Sequence, residues 1–256
     1  MALTRFIAVS MALHMKNMCR SPVFVVILFL APILRATLAV YLFRSGTHQH
    51  ALVQATVGAG LMGAWSSVLF GSGGAIQQQR WQGTLELLVM SPRSLVLVMA
   101  PIALATAAMG GLTVAATLVW GRLIFGVPLK MAHPIEFVPA LLAYLFGLGL
   151  FGILLASTFV RLPNANAVAN TLEYPIWMLS GILVELSDLP SWTGPLSAIL
   201  PSTWGASAIR HTVSGGHVWH PLWICLALGL VALALGTAAM RAMERKARVE
   251  GTLALS

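Results

Sequence analysis

The sequence predicts an all-α integral membrane protein with six transmembrane helices, and three observations support this fold class. Hydrophobic residues make up 58% of the 256 residues and charged residues only 9%, whereas a soluble domain carries about 25% charged residues. The mean hydropathy is +0.87. The apolar runs are continuous and lack the alternating pattern of barrel strands, so helices are the spanning elements that remain.

The predicted membrane domain covers residues 22–240, between an N-terminal helix (1–21) and a basic tail (241–256). A helix needs about 20 mostly apolar residues to cross a bilayer. Six runs meet this length: Pro22–Phe43, Ala51–Ile76, Leu95–Val119, Ile135–Val160, Ala165–Val184 and Pro221–Met240. Because they take up more than half of the chain, a soluble catalytic domain does not fit into the rest.

The net charge of +8 is explained by the distribution of lysine and arginine along the predicted topology, so it does not indicate a nucleic-acid partner. With the N-terminus in the cytoplasm, ten of these residues lie inside: Arg5, Lys16, Arg20, Arg80, Arg93, Arg161, Arg241, Arg245, Lys246 and Arg248. Four lie outside: Arg44, Arg122, Lys130 and Arg210. This positive-inside bias predicts a multi-pass protein with both termini in the cytoplasm and an attraction to anionic membrane lipids.

The N-terminal segment 1–21 has the pattern of an amphipathic helix lying on the inner leaflet. One side of the helical wheel carries Phe6, Ile7, Met11, His14, Met15 and Met18, and the basic residues Arg5, Lys16 and Arg20 lie toward another. A plain solvated N-terminus is the alternative.

The longest predicted segment outside the cytoplasm, residues 185–220, is apolar and interrupted by prolines. Its helical pieces of about ten residues are too short to cross the bilayer. They predict a re-entrant helical pair that dips into the outer leaflet.

Polar residues at helical spacing mark one face of the predicted fifth span. The residues concerned are Asn166, Asn170, Glu173, Trp177 and Ser180. A carboxylate at membrane depth is costly and usually faces a bundle interior or a watery cavity. This face is either the lining of a substrate path or gate, or a polar stripe that holds helices together.

The other charge inside a predicted span is Arg35. An ion pair with Glu173 would offset the cost of both charges. The alternative is that the Arg35 guanidinium extends outward to the lipid headgroups.

A short polar and amphipathic island, Gln79–Pro92, separates the second and third spans and is cytoplasmic by the charge distribution. Thr84 can cap a short helical turn, and Glu86 lies in its first turn, where the helix dipole favours an anion. The alternative is a loop that only connects two spans.

These elements together resemble the ABC type-2 permease family, the membrane subunits of ABC exporters for drugs, lipids and polysaccharides. The chain has Arg20-Ser21-Pro22 at the start of the first span and Gly83-Thr84-Leu85-Glu86 through Ser91-Pro92 between the second and third. A second block then follows in the family's order: Asn166, Asn170, Glu173, Pro175, Leu179-Ser180-Gly181, Leu189-Pro190, Leu200-Pro201 and Ala208-Ile209-Arg210.

The resemblance implies that the island is a coupling helix that docks on a separate ATPase subunit. The residues that it assigns to docking are Arg80, Trp81, Gly83, Thr84, Leu85, Glu86, Leu88, Ser91 and Pro92. The sequence has no phosphate-binding loop of the form G-x-x-x-x-G-K-[ST], so this chain is expected not to be an enzyme, with ATP and Mg bound by the partner. Two permease chains, identical or related, are expected to form the path in the cell membrane. No metal site or catalytic residue is expected.

The expected substrate is amphipathic or lipid-like, such as a drug, peptide or lipid. Two alternatives remain open from the sequence. A secondary carrier would have to couple transport to ions through Glu173 and Arg35. A structural partner subunit would have no transport path of its own.

Overall fold

The computed structural model describes residues 2–20, 22–43, 49–81, 83, 94–160, 162, 165–182, 186 and 189–250. Across these ranges the secondary structure is helical, as the fold class predicted. The α-helices are α1 (Ala2–Arg20), α2 (Pro22–Phe43), α3 (Gln49–Trp81), α4 (Leu95–Phe125), α5 (Pro134–Phe159), α6 (Ala165–Leu179), α7 (Gly194–Ile199), α8 (Pro201–Ser214) and α9 (Trp219–Glu250), with a 3-10 turn at Ser191–Thr193.

Four helices within these ranges are long and apolar enough to cross a membrane. They contain the segments Leu52–Ser72, Leu95–Phe125, Pro134–Phe159 and Trp219–Lys246, which belong to four of the six predicted spans. α2 has the predicted bounds, Pro22–Phe43, although its qualifying apolar stretch is the shorter Leu28–Leu42. The chain is therefore a multi-pass membrane protein.

α6 corresponds to the predicted fifth span, Ala165–Val184. It is shorter than predicted because the helix ends at Leu179. The end is a Schellman motif: the Ile182 N–H donates to the Trp177 carbonyl at 3.2 Å, and the Gly181 N–H donates to Met178 at 3.0 Å. Gly181 has a φ of +65°, which a residue without Cβ adopts most readily. At 1.5 Å per residue, α6 is about 22 Å long, less than the bilayer core of about 30 Å.

The predicted basic tail (241–256) begins as a continuation of α9, which runs without interruption to Glu250. The α9 residues Met240 and Met243 pack against Leu95 and Met99 at the start of α4. Glu244 accepts a hydrogen bond from the Leu95 N–H. A carboxylate is favoured there because the first N–H groups of a helix lack partners within the helix.

The predicted amphipathic pattern of α1 agrees with its burial. The side chains assigned to the apolar side are half-buried, and the three basic residues are exposed. α1 packs on α4 and, less extensively, on α2. Burial lowers the pKa of His14, which belongs to this half-buried side. The position of α1 on the inner leaflet stays a prediction.

The predicted re-entrant segment contains short helices, α7 and α8, separated at Leu200-Pro201. α8 packs on α5, α9 and α3, and more than half of its residues are buried. Its depth in the bilayer stays a prediction.

α3 is the central helix: α2, α4, α5, α6 and α8 all pack on it. Its contact with α4 is close because small residues on one helix face threonine or alanine on the other. A Cβ built on Gly110 of α4 would lie 2.8 Å from the Ala64 Cα, and one built on Gly60 would lie 2.9 Å from the Val114 Cα. Such small residues let helix backbones approach within a membrane, and α3 accordingly packs on protein on more than one side.

We expect the substitution Gly110→Ala to destabilise the α3–α4 contact by about 1–3 kcal/mol, because the added methyl group meets backbone that cannot move aside. Thermal unfolding of the purified chain in detergent measures this loss. Gly74→Ala is the matched control, since a Cβ at Gly74 has no neighbour within 4 Å. Equal melting temperatures for the two variants would contradict the close packing.

Candidate functional site

A cleft of about 230 Å³ lies between α2 and α6, above α3. Both helices pack on α3, but they make few contacts with each other. Leu28 and Pro32 of α2 and Phe70 of α3 form apolar parts of the wall. Its polar groups are Arg35, Ser66, Ser67, Thr113, Asn170 and Glu173. An apolar cleft with a few converging polar groups is the usual form of a small-molecule site.

An ion pair crosses this cleft. The Arg35 Nη2 atom of α2 lies 3.6 Å from the Glu173 Oε1 atom of α6. The Glu173 side chain is 9% exposed and the Arg35 side chain 27%. The structure therefore places together the two charges that the sequence analysis identified inside predicted spans.

Ser66 of α3 joins both charges to the floor of the cleft. Its hydroxyl lies 2.5 Å from the Glu173 Oε1 atom, to which it can donate, and accepts from Arg35 Nη1 at 3.4 Å. The Met62 carbonyl is a second acceptor for this hydroxyl, at 2.9 Å. Because the hydroxyl has one proton, it donates to one acceptor at a time. The shorter, charge-assisted bond to the carboxylate is the stronger of the two.

Trp177 lies one helical turn after Glu173, and its ring contacts the Arg35 guanidinium, the cation that pairs with Glu173. The Arg35 Cζ atom is 4.7 Å from the centroid of the indole ring, within the range of a cation–π interaction. Tyr174 contacts this ring edge-on, with 4.9 Å between centroids. The buried indole Nε1 has no hydrogen-bond partner among the described residues.

The predicted path residues occupy different positions. Asn170 and Glu173 line the cleft, and Trp177 is buried beside the ion pair. Ser180 is buried away from the cleft lining, and its Oγ atom lies 2.7 Å from that of Ser202 in α8. The side chain of Asn166 lies outside the described residues. The polar face thus contributes both to a cleft and to helix–helix contact, and its assignment to a substrate path or gate stays a prediction.

Arg210 of α8 was placed outside the membrane by the charge distribution but was not selected as a functional residue. Its Nη1 atom donates to the Gly181 carbonyl at the end of α6. A cation at a helix C-terminus is favoured by the unpaired carbonyls and the helix dipole. Arg210 and the Ser180–Ser202 contact therefore hold the end of α6 against α8.

The predicted coupling helix falls mostly outside the described residues, which exclude Thr84, Leu85, Glu86, Leu88, Ser91 and Pro92. Arg80 and Trp81 form the end of α3, five residues beyond the predicted end of the second span at Ile76. Gly83 is exposed, with a φ of +66°. The first residues of the island, up to Trp81, therefore belong to α3.

Sequence reasoning also missed Ser66 and Glu244. Serines in apolar helices commonly bond to their own backbone, so Ser66 gave no sign of a partner on α6. The signal at Glu244 was an acidic residue within a basic run, Arg241–Arg248.

We expect exchange of the two charges to recover stability that either single change loses. Arg35→Glu or Glu173→Arg brings two like charges together in the cleft, and we expect each to cost about 3 kcal/mol, the low end for a broken buried pair because Arg35 is partly exposed. The double variant Arg35→Glu/Glu173→Arg restores opposite charges. Melting temperatures of the three purified variants measure the recovery.

Lys130→Glu is the control, since Lys130 is an exposed residue of the α4–α5 loop and its replacement should change the melting temperature little. A double variant no more stable than the less stable single variant would show that the two charges do not interact.

The family model described as ABC-2 type transporter matches residues 6–213, which is most of the chain and runs from Phe6 in α1 to Val213 in α8. No curated protein matches the chain at a significant level.

Proposed function

The chain belongs to the ABC-2 type transporter family, and from this premise we propose that it is the membrane subunit of an ATP-driven exporter. The observation that carries the proposal is the cleft between α2 and α6, because it brings together the one charged residue of α2 and the one charged residue of α6. Charges at membrane depth are costly and are usually found where an ion or substrate passes.

In the proposed assembly, two copies of this chain, or this chain and a related one, combine with two ATPase subunits. The six spans are α2 through α6 and α9, both termini are cytoplasmic, and the α7–α8 segment re-enters the outer leaflet. ATP and Mg bind to the ATPase subunits, since this sequence has no phosphate-binding loop. Asn166, Asn170, Glu173, Trp177 and Ser180 belong to the path or its gate.

The coupling helix within Gln79–Pro92 receives the motion of the ATPase. α3 supports this role because it continues as one helix from the floor of the cleft to Trp81. Ser66 and Trp81 are fifteen residues apart, about 22 Å along the axis. A rigid-body displacement at Trp81 therefore moves the cleft floor, and with it the side chain that bonds Glu173.

The substrate in this proposal is amphipathic or lipid-like. The wall formed by Leu28, Pro32 and Phe70 fits an apolar body, and the charged corner fits a polar head. Transport runs outward from the cytoplasmic side of the cell membrane.

We expect Glu86→Arg to remove association with the ATPase subunit, or ATP-driven transport, while the membrane helices stay folded. Leu85→Asp tests the apolar side of the same turn. Co-purification of the ATPase from the native membrane and transport by reconstituted vesicles measure the two effects. Glu136→Arg, the same charge change in the first turn of α5, is the matched control and should keep both.

A chain that purifies without an ATPase and transports with a proton gradient would overturn the proposal in favour of a secondary carrier. A chain that binds an ATPase whose turnover responds to no substrate would favour a structural subunit.

A further inference from the structure

We propose that Glu173, Ser66 and Trp177 form a binding site for the cationic head of an amphipathic substrate, and that the Arg35 guanidinium occupies this site when substrate is absent. The inference deepens the proposed function, on which it rests, by naming the substrate class: amphipathic cations.

The three side chains supply what an organic cation needs at membrane depth. Glu173 offers a carboxylate that is 9% exposed. Trp177 offers an aromatic face 4.7 Å from the guanidinium carbon, and cations are attracted to such a face. Ser66 holds the carboxylate in place through a 2.5 Å contact. That a guanidinium already lies against all three shows that their arrangement accepts a positive group.

The contacts of Arg35 are weaker than those that hold Glu173. Its ion pair is 3.6 Å long and its hydrogen bond to Ser66 is 3.4 Å, beyond the usual 2.7–3.2 Å for an N–H donor. The Arg35 side chain is three times as exposed as that of Glu173, 27% against 9%. A long arginine side chain can turn outward and keep its charge in water or among headgroups, so Arg35 can leave while Glu173 stays.

The difference between the partly exposed Arg35 and the buried Glu173 also argues against an anionic substrate. An anion could bind Arg35, but it would leave Glu173 buried without a counter-charge, which is costly. A cation replaces Arg35 and leaves the carboxylate paired. The released arginine meets water or headgroups instead of the apolar wall.

The volume and the apolar lining of the cleft indicate that the substrate is amphipathic. About 230 Å³ is below the usual range of roughly 300–1,000 Å³ for a complete small-molecule pocket, so the cleft holds the head and the adjoining part of the substrate. Leu28, Pro32 and Phe70 contact that apolar part. Because α2 and α6 make few contacts with each other, the remainder can extend between them.

The test is binding of two probes of matched shape and opposite charge, tetraphenylphosphonium and tetraphenylborate, to the purified full chain in lipid nanodiscs, after subtraction of binding to empty nanodiscs. We expect the wild-type chain to bind the cation in preference to the anion. Removal of the internal competitor by Arg35→Gln should tighten cation binding about tenfold, the change expected if Arg35 fills the site about nine-tenths of the time. Glu173→Gln should weaken cation binding at least about tenfold, since the charge-assisted partner is gone.

Two further variants keep the test decisive if an unpaired Glu173 impairs folding. Arg35→Lys retains a counter-charge but loses the planar group that stacks on Trp177, and it should bind the cation more tightly than wild type and less tightly than Arg35→Gln. Arg35→Gln/Glu173→Gln leaves no charge in the pair, should fold, and should not bind the cation.

Cation binding that is equal in wild type, Arg35→Lys and the neutral double variant would overturn the proposal. So would tighter binding of the anion in wild type, lost in Arg35→Gln, which would assign the cleft to anionic heads. The ATPase is absent from this experiment. A negative result in this binding experiment therefore rejects only the proposed substrate class. The exporter proposal is rejected by a different result, purification of the chain without an ATPase.

Discussion

The structure depends on how closely other helices can approach α3. Its small residues allow backbone to meet backbone: Ala64 faces Gly110 of α4, and a Cβ on Gly58 would lie 2.8 Å from the carbonyl oxygen of Ile182, just after α6. In lipid, association of helices relies on such packing and on interhelical hydrogen bonds, because apolar surface gains little by leaving one apolar medium for another. Larger side chains at these positions would separate α4 and the end of α6 from α3, and the cleft above α3 would lose its walls.

The cleft follows from this arrangement. α2 and α6 both pack on α3 but hardly on each other, and the Arg35–Glu173 pair links them across the gap. A buried ion pair is weak evidence for stability, since desolvation offsets much of the attraction. Its position across a gap, on the floor of which Ser66 bonds to the carboxylate, is the observation on which the proposed cation site rests. α3 runs on to Trp81, which connects this floor to the predicted coupling helix.

The sequence predicted the elements that depend on local composition. Hydropathy identified α3, α4, α5 and α9 as span candidates, and the cost of a charge at membrane depth was enough to suggest the pairing of Arg35 with Glu173. It overestimated α6, because hydropathy does not register that Gly181 can adopt a positive φ and end a helix within an apolar run. The roles of Ser66, Arg210 and Glu244 depend on which helix lies opposite, and no pattern along the chain reports that. The coupling-helix assignment, from Thr84 to Pro92, stays a prediction.

The most direct test of the account is ATP-driven uptake of tetraphenylphosphonium into inside-out vesicles that contain this chain and its co-purifying ATPase. Wild-type vesicles should accumulate the cation when ATP is supplied. The neutral variant Arg35→Gln/Glu173→Gln should keep the ATPase bound and hydrolysing but should fail to accumulate the cation. Uptake by the neutral variant at the wild-type rate would contradict the claim that this ion pair marks the substrate path.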